Sequence, residues 1–197
     1  MSRNEIFRSR ILAAFLGLCL PLASQNKPIS PAEACQAGPH NAALDQLAKD
    51  LVSSQTDEER NALLDQDKEL ATPALILAMV SRAKELKSAG GLRQALAADM
   101  WAQGLAEKLG DQIAVFEASF NCGLILNYQG KGEQSVERTI KSLVVAQALD
   151  DQRRQGLALR PLGVTSDQIG DFEVAHKYYA RAITVFTETA DKREPQA

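Results

Sequence analysis

Nucleophilic, acid–base and metal chemistry each need particular residues at particular spacings, and this chain is poor in all three. It has three cysteines, Cys19, Cys35 and Cys122, and two histidines, His40 and His176. A thiol nucleophile needs a base within hydrogen-bond reach and a third group that orients the base. His40 lies in a stretch crowded with proline and reads as solvent-exposed. His176 lies beside Tyr179, with no cysteine or acid at a catalytic spacing, and reads as surface. Glu117, Asp167 and the other carboxylates form no convincing pair for acid–base work. No CxxC spacing suggests a metal. The residues therefore predict no catalytic constellation, no cofactor and no metal. The chemistry left to the chain is recognition, and the question becomes which elements carry it.

Composition bounds those elements. The chain has 197 residues, a size usual for one domain or a short array. Apolar content is 45%, and aromatic content is only 5%. Few aromatics with much Ala and Leu suits helix packed on helix. The formal net charge is −3 with no strong basic run, which argues against nucleic acid as a partner.

The organising stretch runs from Gly156 to Thr187. Leu162 and Gly163, then Gly170, Asp171 and Phe172, then Ala175, Tyr179 and Ala182 follow one another at the spacing of two antiparallel helices joined by a short turn. Gly163 and Ala175 are small where the helices would cross. Gly170 sits where the first helix must stop, and glycine readily takes the left-handed conformation that ends a helix. A shift of 40 residues aligns Gly170 with Gly130 and Gly90, and Gly163 with Gly123 and Ala83. It also aligns Ala175 with Ser135 and Ala95, and Ala182 with Ser142 and Ala102. One such hairpin cannot bury its apolar face alone, so the units must stack.

In chain order, residues 1–25 read as a secretory signal peptide. Arg3, Arg8 and Arg10 precede an apolar run from Ile11 to Leu20, and Leu22, Ala23 and Ser24 offer a cleavage site. Residues 26–40, with Pro28, Pro31, Gly38 and Pro39, read as an extended linker. Residues 41–71 supply two capping helices, the second opened by the capping-box pattern from Thr56 to Glu59. Repeats follow over 72–110, 111–150 and 151–190, with a tail over 191–197. Thr72 and Pro73 start the first repeat as a cap and a proline at the first helical position. Gly132 stands where Phe172 and Leu92 stand in the other units, which predicts a looser turn. Pro161 falls inside a helix and predicts either a late start or a kink. Trp101 reads as packing. Cys122 occupies the packed position of Leu162 and reads as a small buried hydrophobe; a disulfide with Cys35 is the alternative.

These units resemble the tetratricopeptide repeat family, in its longer variety of about 40 residues, from about Thr72 to Ala197. The lead-in from Thr56 to Pro73 is similar to that of arrays preceding CHAT peptidase domains in secreted bacterial proteins. The resemblance implies an all-α, right-handed superhelix of antiparallel helix pairs, with a concave groove that binds a protein or peptide. It places Lys84, Lys87, Phe120, Leu124, Asn127, Tyr128, Arg160, Asp167 and Gln168 in that groove. The family's clamp for a C-terminal carboxylate is not intact here, because Val80, Phe120, Leu124 and Val164 stand at clamp positions. What remains is an apolar strip of Phe120, Leu124 and Tyr128 flanked by Lys84, Lys87 and Arg160, suited to a peptide with acidic residues.

A repeat array needs a polar terminal cap. Tyr179, Ile183 and Phe186 lie where a following unit would cover them, and no such unit follows. Two expectations result: a homodimer through this face, or a chain that is the front of a longer protein such as a CHAT-type peptidase. The overall expectation is an exported scaffold, periplasmic or extracellular, that binds through its groove without catalysis of its own.

Overall fold

The computed structural model describes residues 39–191, with side chains described over 41–190. Eight helices follow one another: α1 (Pro39–Ser53), α2 (Asp57–Gln66), α3 (Pro73–Ser88), α4 (Leu92–Leu109), α5 (Gln112–Tyr128), α6 (Gly132–Ala148), α7 (Gln152–Gln168) and α8 (Phe172–Asp191). A single 3-10 turn, Lys68–Leu70, joins α2 to α3. No strand occurs among the described residues. The expected signal peptide and most of the expected linker, with Cys19 and Cys35, lie outside the described residues. Pro39 and His40 fall in the first turn of α1 rather than in a linker.

The helices start where side chains can occupy their free N–H groups. Thr56 and Glu59 form the full capping box of α2. The Thr72 hydroxyl accepts from Leu75 N at the head of α3, with Pro73 at the first position. Asp111 and Asp151 accept from Ala114 N and Arg154 N, both at 2.9 Å. They stop by one recurring device. Gly90, Gly130 and Gly170 end the first helices at positive φ, and the next N–H reaches back to a carbonyl one turn earlier. The bonds Gly91 N to Leu86 O, Lys131 N to Leu126 O and Asp171 N to Ser166 O are each 2.9 Å. The second helices end the same way, through Asp111 N to Ala106 O and Asp151 N to Ala146 O. Gly110 supplies the left-handed residue at the first of these ends, and Asp150 (φ 51°) at the second.

From α3 onward each helix packs chiefly on its sequence neighbours, so α3–α4, α5–α6 and α7–α8 are stacked antiparallel pairs. Alanines make the close contacts: Ala95, Ala98, Ala102 and Ala106 on α4 are fully buried. Leu75, Ile76, Met79, Phe116, Leu159 and Leu162 fill the space between. Helix α1 covers α3 with Leu47, Ala48, Leu51 and Val52. Helix α2 packs on α1 and reaches α4 through Trp101, whose Nε1 donates to Asn61 Oδ1 at 3.2 Å. Arg60 of α2 is buried and closes the end of α1. Its Nε donates to Leu51 O (3.1 Å) and its Nη2 to Ser54 O (2.7 Å), satisfying carbonyls that the helix leaves free.

Three local expectations need correction or completion. Helix α7 does not start late: it runs unbroken from Gln152 through Pro161, which leaves Leu157 O without the N–H of its fourth neighbour. Gly132 does not loosen its turn. A Cβ there would lie 2.3 Å from Ile169 Cγ2, so the glycine serves close contact between α6 and α7. Gly163 is filled over by the ring of Tyr179, which a Cβ would meet at 2.6 Å. Cys122 is buried with a free thiol, and burial pushes its pKa far above the ordinary range.

Candidate binding groove

The first helices α3, α5 and α7 lie side by side and carry the residues assigned to the groove. Charged side chains bridge them in a ladder. Lys84 Nζ lies 3.2 Å from Glu117 Oε2, and Glu117 Oε1 lies 3.9 Å from Arg154 Nη2. Arg154 in turn pairs with Asp151, the cap of its own helix, and sits 5.5 Å from the Phe116 ring centroid. Glu117 is thus a structural counter-charge between two cations rather than a free acid.

A second bridge runs deeper. Lys87 Nζ donates to Asn121 Oδ1 at 3.5 Å and lies over the Tyr128 ring at 5.5 Å. Asn121 Nδ2 then donates to Asp99 Oδ2 on α4. Asp99 is fully buried and its Oδ1 has no partner. Burial raises its pKa to about 8, against the opposing pull of Asn121 and of the Lys84 and Lys87 charges. Burial also lowers the pKa of Lys87, with the Lys84 charge adding to it.

A third bridge joins α5 to α7. Asn127 Nδ2 donates to Thr165 Oγ1 at 2.9 Å and to Gln168 Oε1 at 2.5 Å. Thr165 borders Ser135 of α6 at 3.4 Å, and Ser135 Oγ donates to Gly123 O at 2.8 Å. Small hydroxyls therefore take the place of hydrocarbon at the α5–α6–α7 junction. Asn127, Tyr128, Gly130, Gly132, Gln168 and Ile169 line a cleft of about 320 Å³ at its edge.

Four of the groove residues assigned from sequence, Lys84, Lys87, Asn127 and Gln168, thus spend their polar groups on neighbouring helices. Phe120 stacks on Phe116 at 5.7 Å and is half-buried, as is Leu124. Tyr128, Arg160 and Asp167 are exposed, and so are Leu157 and Val164 beside Arg160 on α7. At the far end of the array, Tyr179 is half-buried while Ile183 and Phe186 are exposed. Sequence reasoning passed over Asp99, Asn121 and Arg154. The signal for Asp99 was present: it stands in the column of Thr139 and Tyr179, where the other units have no charge.

No known family's sequence model matches the chain. No curated protein matches it either. Among solved structures, the chain is similar to the TPR domain of Arabidopsis FLU. Identity is 19% and the TM-score 0.55, over 57% of this chain and 95% of that domain. A likeness at that identity speaks to fold. With the stacked pairs, the recurring helix stops and the 40-residue register, it defines an all-α, tetratricopeptide-like solenoid.

Proposed function

We propose that the chain is a non-catalytic scaffold that binds an extended or helical peptide along the first-helix face. The observation that carries this reading is the contrast within that face. The cations nearest its centre are held by the chain's own groups, whereas Tyr128 stands exposed at the end of α5, and Leu157 and Val164 stand exposed on α7 with Arg160 between them. Exposed apolar side chains beside a guanidinium that has no counter-charge among the described residues fit a ligand with both hydrophobic and acidic residues. The scaffold is read as exported, on the basic start and apolar run of residues 1–25 alone. Fractionation with N-terminal sequencing tests that part: a chain retained in the cytoplasm with Met1 intact would sink it. A second copy of the chain is a further partner, through α8.

The groove is tested by titrating a library of acidic-hydrophobic peptides into the full chain and following heteronuclear shifts. Binders should perturb Tyr128, Leu157, Arg160 and Val164. Tyr128→Ala and Arg160→Glu should each weaken them about tenfold or more, the loss of about 1.4 kcal/mol; Arg160→Glu should leave Tm unchanged, and Tyr128→Ala should lower it only slightly through the lost Lys87 contact. Peptide binding indifferent to both substitutions would overturn the assignment.

A further inference from the structure

Helix α1 packs on α3 as α3 packs on α5. Its last turn meets the last turn of α3. Val52 and Ser53 share one cleft with Leu86 and Ala89, and Gln94 Nε2 closes its end by donating to Ser53 O at 2.9 Å. The spacing is that of the groove. Lys84 reaches Glu117, 33 residues on, and Lys87 reaches Asn121, 34 residues on. The same steps from Lys49 and Val52 lead to Arg82 and Leu86, and all four line the cleft. Helix α1 is therefore the first strip of the first-helix face as well as the cover of α3.

The chemistry of this crease is the reverse of its neighbours'. Between α3 and α5 a cation meets an anion, and an ammonium meets an amide. Between α5 and α7 an amide makes the bridge. Between α1 and α3 two cations flank an apolar floor of Val52 and Leu86, and a cleft of about 290 Å³ stays open. That is room for one large apolar side chain. Lys49 is exposed and has no counter-charge among the described residues. Arg82 has Glu85, 3.6 Å away on its own helix, in a solvent-open pair that contributes little. Like charges at the rim of an apolar floor repel until an anion comes between them. An ammonium and a guanidinium can both donate to one carboxylate. We infer that this cleft binds a peptide at a large apolar residue followed by an acidic one, with the apolar side chain on Val52 and Leu86 and the carboxylate between Lys49 and Arg82. The peptide nature of the ligand rests on the groove reading, and the cleft extends that footprint from α7 to α1.

Titrating the isotope-labelled full chain with the blocked dipeptide acetyl-Phe-Glu-amide tests this, with acetyl-Phe-Gln-amide and acetyl-Ala-Glu-amide as controls. Saturable shifts are expected at Lys49, Val52, Arg82 and Leu86, and salt should weaken them. Each control should bind at least about fivefold more weakly, because each lacks one half of the ligand. Lys49→Glu should weaken the probe about tenfold or more. It should not lower Tm, because it sets a counter-charge against Arg82 as Glu117 stands against Lys84. Arg82→Gln gives up only the exposed pair with Glu85 and should weaken the probe likewise. No saturable shift at the cleft, equal binding of the Gln control, or a Lys49→Glu chain that binds like the parent would each overturn the inference. Tighter binding of acetyl-Phe with its own free carboxylate would overturn it too, in favour of a chain terminus. Failure of the groove reads out separately. Library peptides that perturb Tyr128 and Arg160 but not Lys49 keep the groove and lose the cleft. A dipeptide that fills the cleft while no library peptide touches Arg160 keeps the cleft and loses the groove.

Discussion

Phe186 lies over Gly156, so closely that a Cβ on the glycine would sit 2.7 Å from the ring. One unit earlier the same two positions hold Ala146 and Phe116, and two units earlier Ala106 and Ile76. The large and small partners have exchanged helices. The volume between first and second helix is conserved while its source moves from one to the other, as close packing requires. The exchange also brings an aromatic ring to the open side of α8, where the internal units keep alanine.

The glycines at such contacts differ in how much they tolerate. At Gly123 a Cβ would meet Thr139 Oγ1 at 2.2 Å, and that hydroxyl is buried and bonded to Ser135 O. Gly123→Ala is expected to destabilise by about 1–3 kcal/mol despite its gain in helix propensity. Gly156→Ala meets only the outer edge of the half-exposed Phe186 ring, which can swing aside, and should cost under about 1 kcal/mol. Urea unfolding of the two variants measures the difference. An equal loss at both sites would contradict this reading of the contacts.

Asp150 holds the left-handed conformation that Gly110 holds one unit earlier. Its side chain is exposed and gains nothing that the glycine lacks. Asp150→Gly removes the steric cost of that backbone and should stabilise by roughly 0.5–1 kcal/mol, net of the extra freedom of the unfolded chain. Thermal unfolding checks it; a lower Tm would show that Asp150 has a use not seen in its surroundings.

Asp99 makes stability depend on pH. Its folded pKa, about 8, lies above that of an ordinary carboxyl, so the folded chain keeps a proton that the unfolded chain releases. Its contribution is fully present in acid below the ordinary carboxyl range. It is lost progressively as pH rises toward 8, and is flat beyond. Asp99→Asn should therefore gain on the parent chain as pH rises from 5 to 8. Parallel melts at several pH values would reveal it, and profiles that stay parallel would refute the buried proton.

Much of the fold was legible because the devices that start and stop helices are local. Thr56, Thr72, Asp111, Gly90, Gly130 and Gly170 act within their own few residues, and the 40-residue register carried the rest. The groove was less legible. Register places Lys84 and Glu117 on facing helices, but only the packed array shows that Arg154 reaches the same carboxylate. Gly132 misled for a related reason. Seen alone it is a missing apolar residue, and its partner Ile169 lies on another helix. Asp99 was hidden because burial is a property of the neighbours rather than of the residue.

The unpartnered Asp99 Oδ1 lies where the first unit meets the second. In a linear stack, cooperativity is only as strong as each junction. This one contains a polar group that folding strips of water and does not repay. At the junction between the second and third units Ser135 and Asn127 are bonded, and although Gln129 Nε2 and Arg154 Nε are unpartnered there, neither is a carboxyl as fully buried as Asp99. The molecule should therefore come apart at a seam. In native-state amide exchange, α3 and α4 would open at lower free energy than α5 to α8, and the gap would widen as pH rises toward 8.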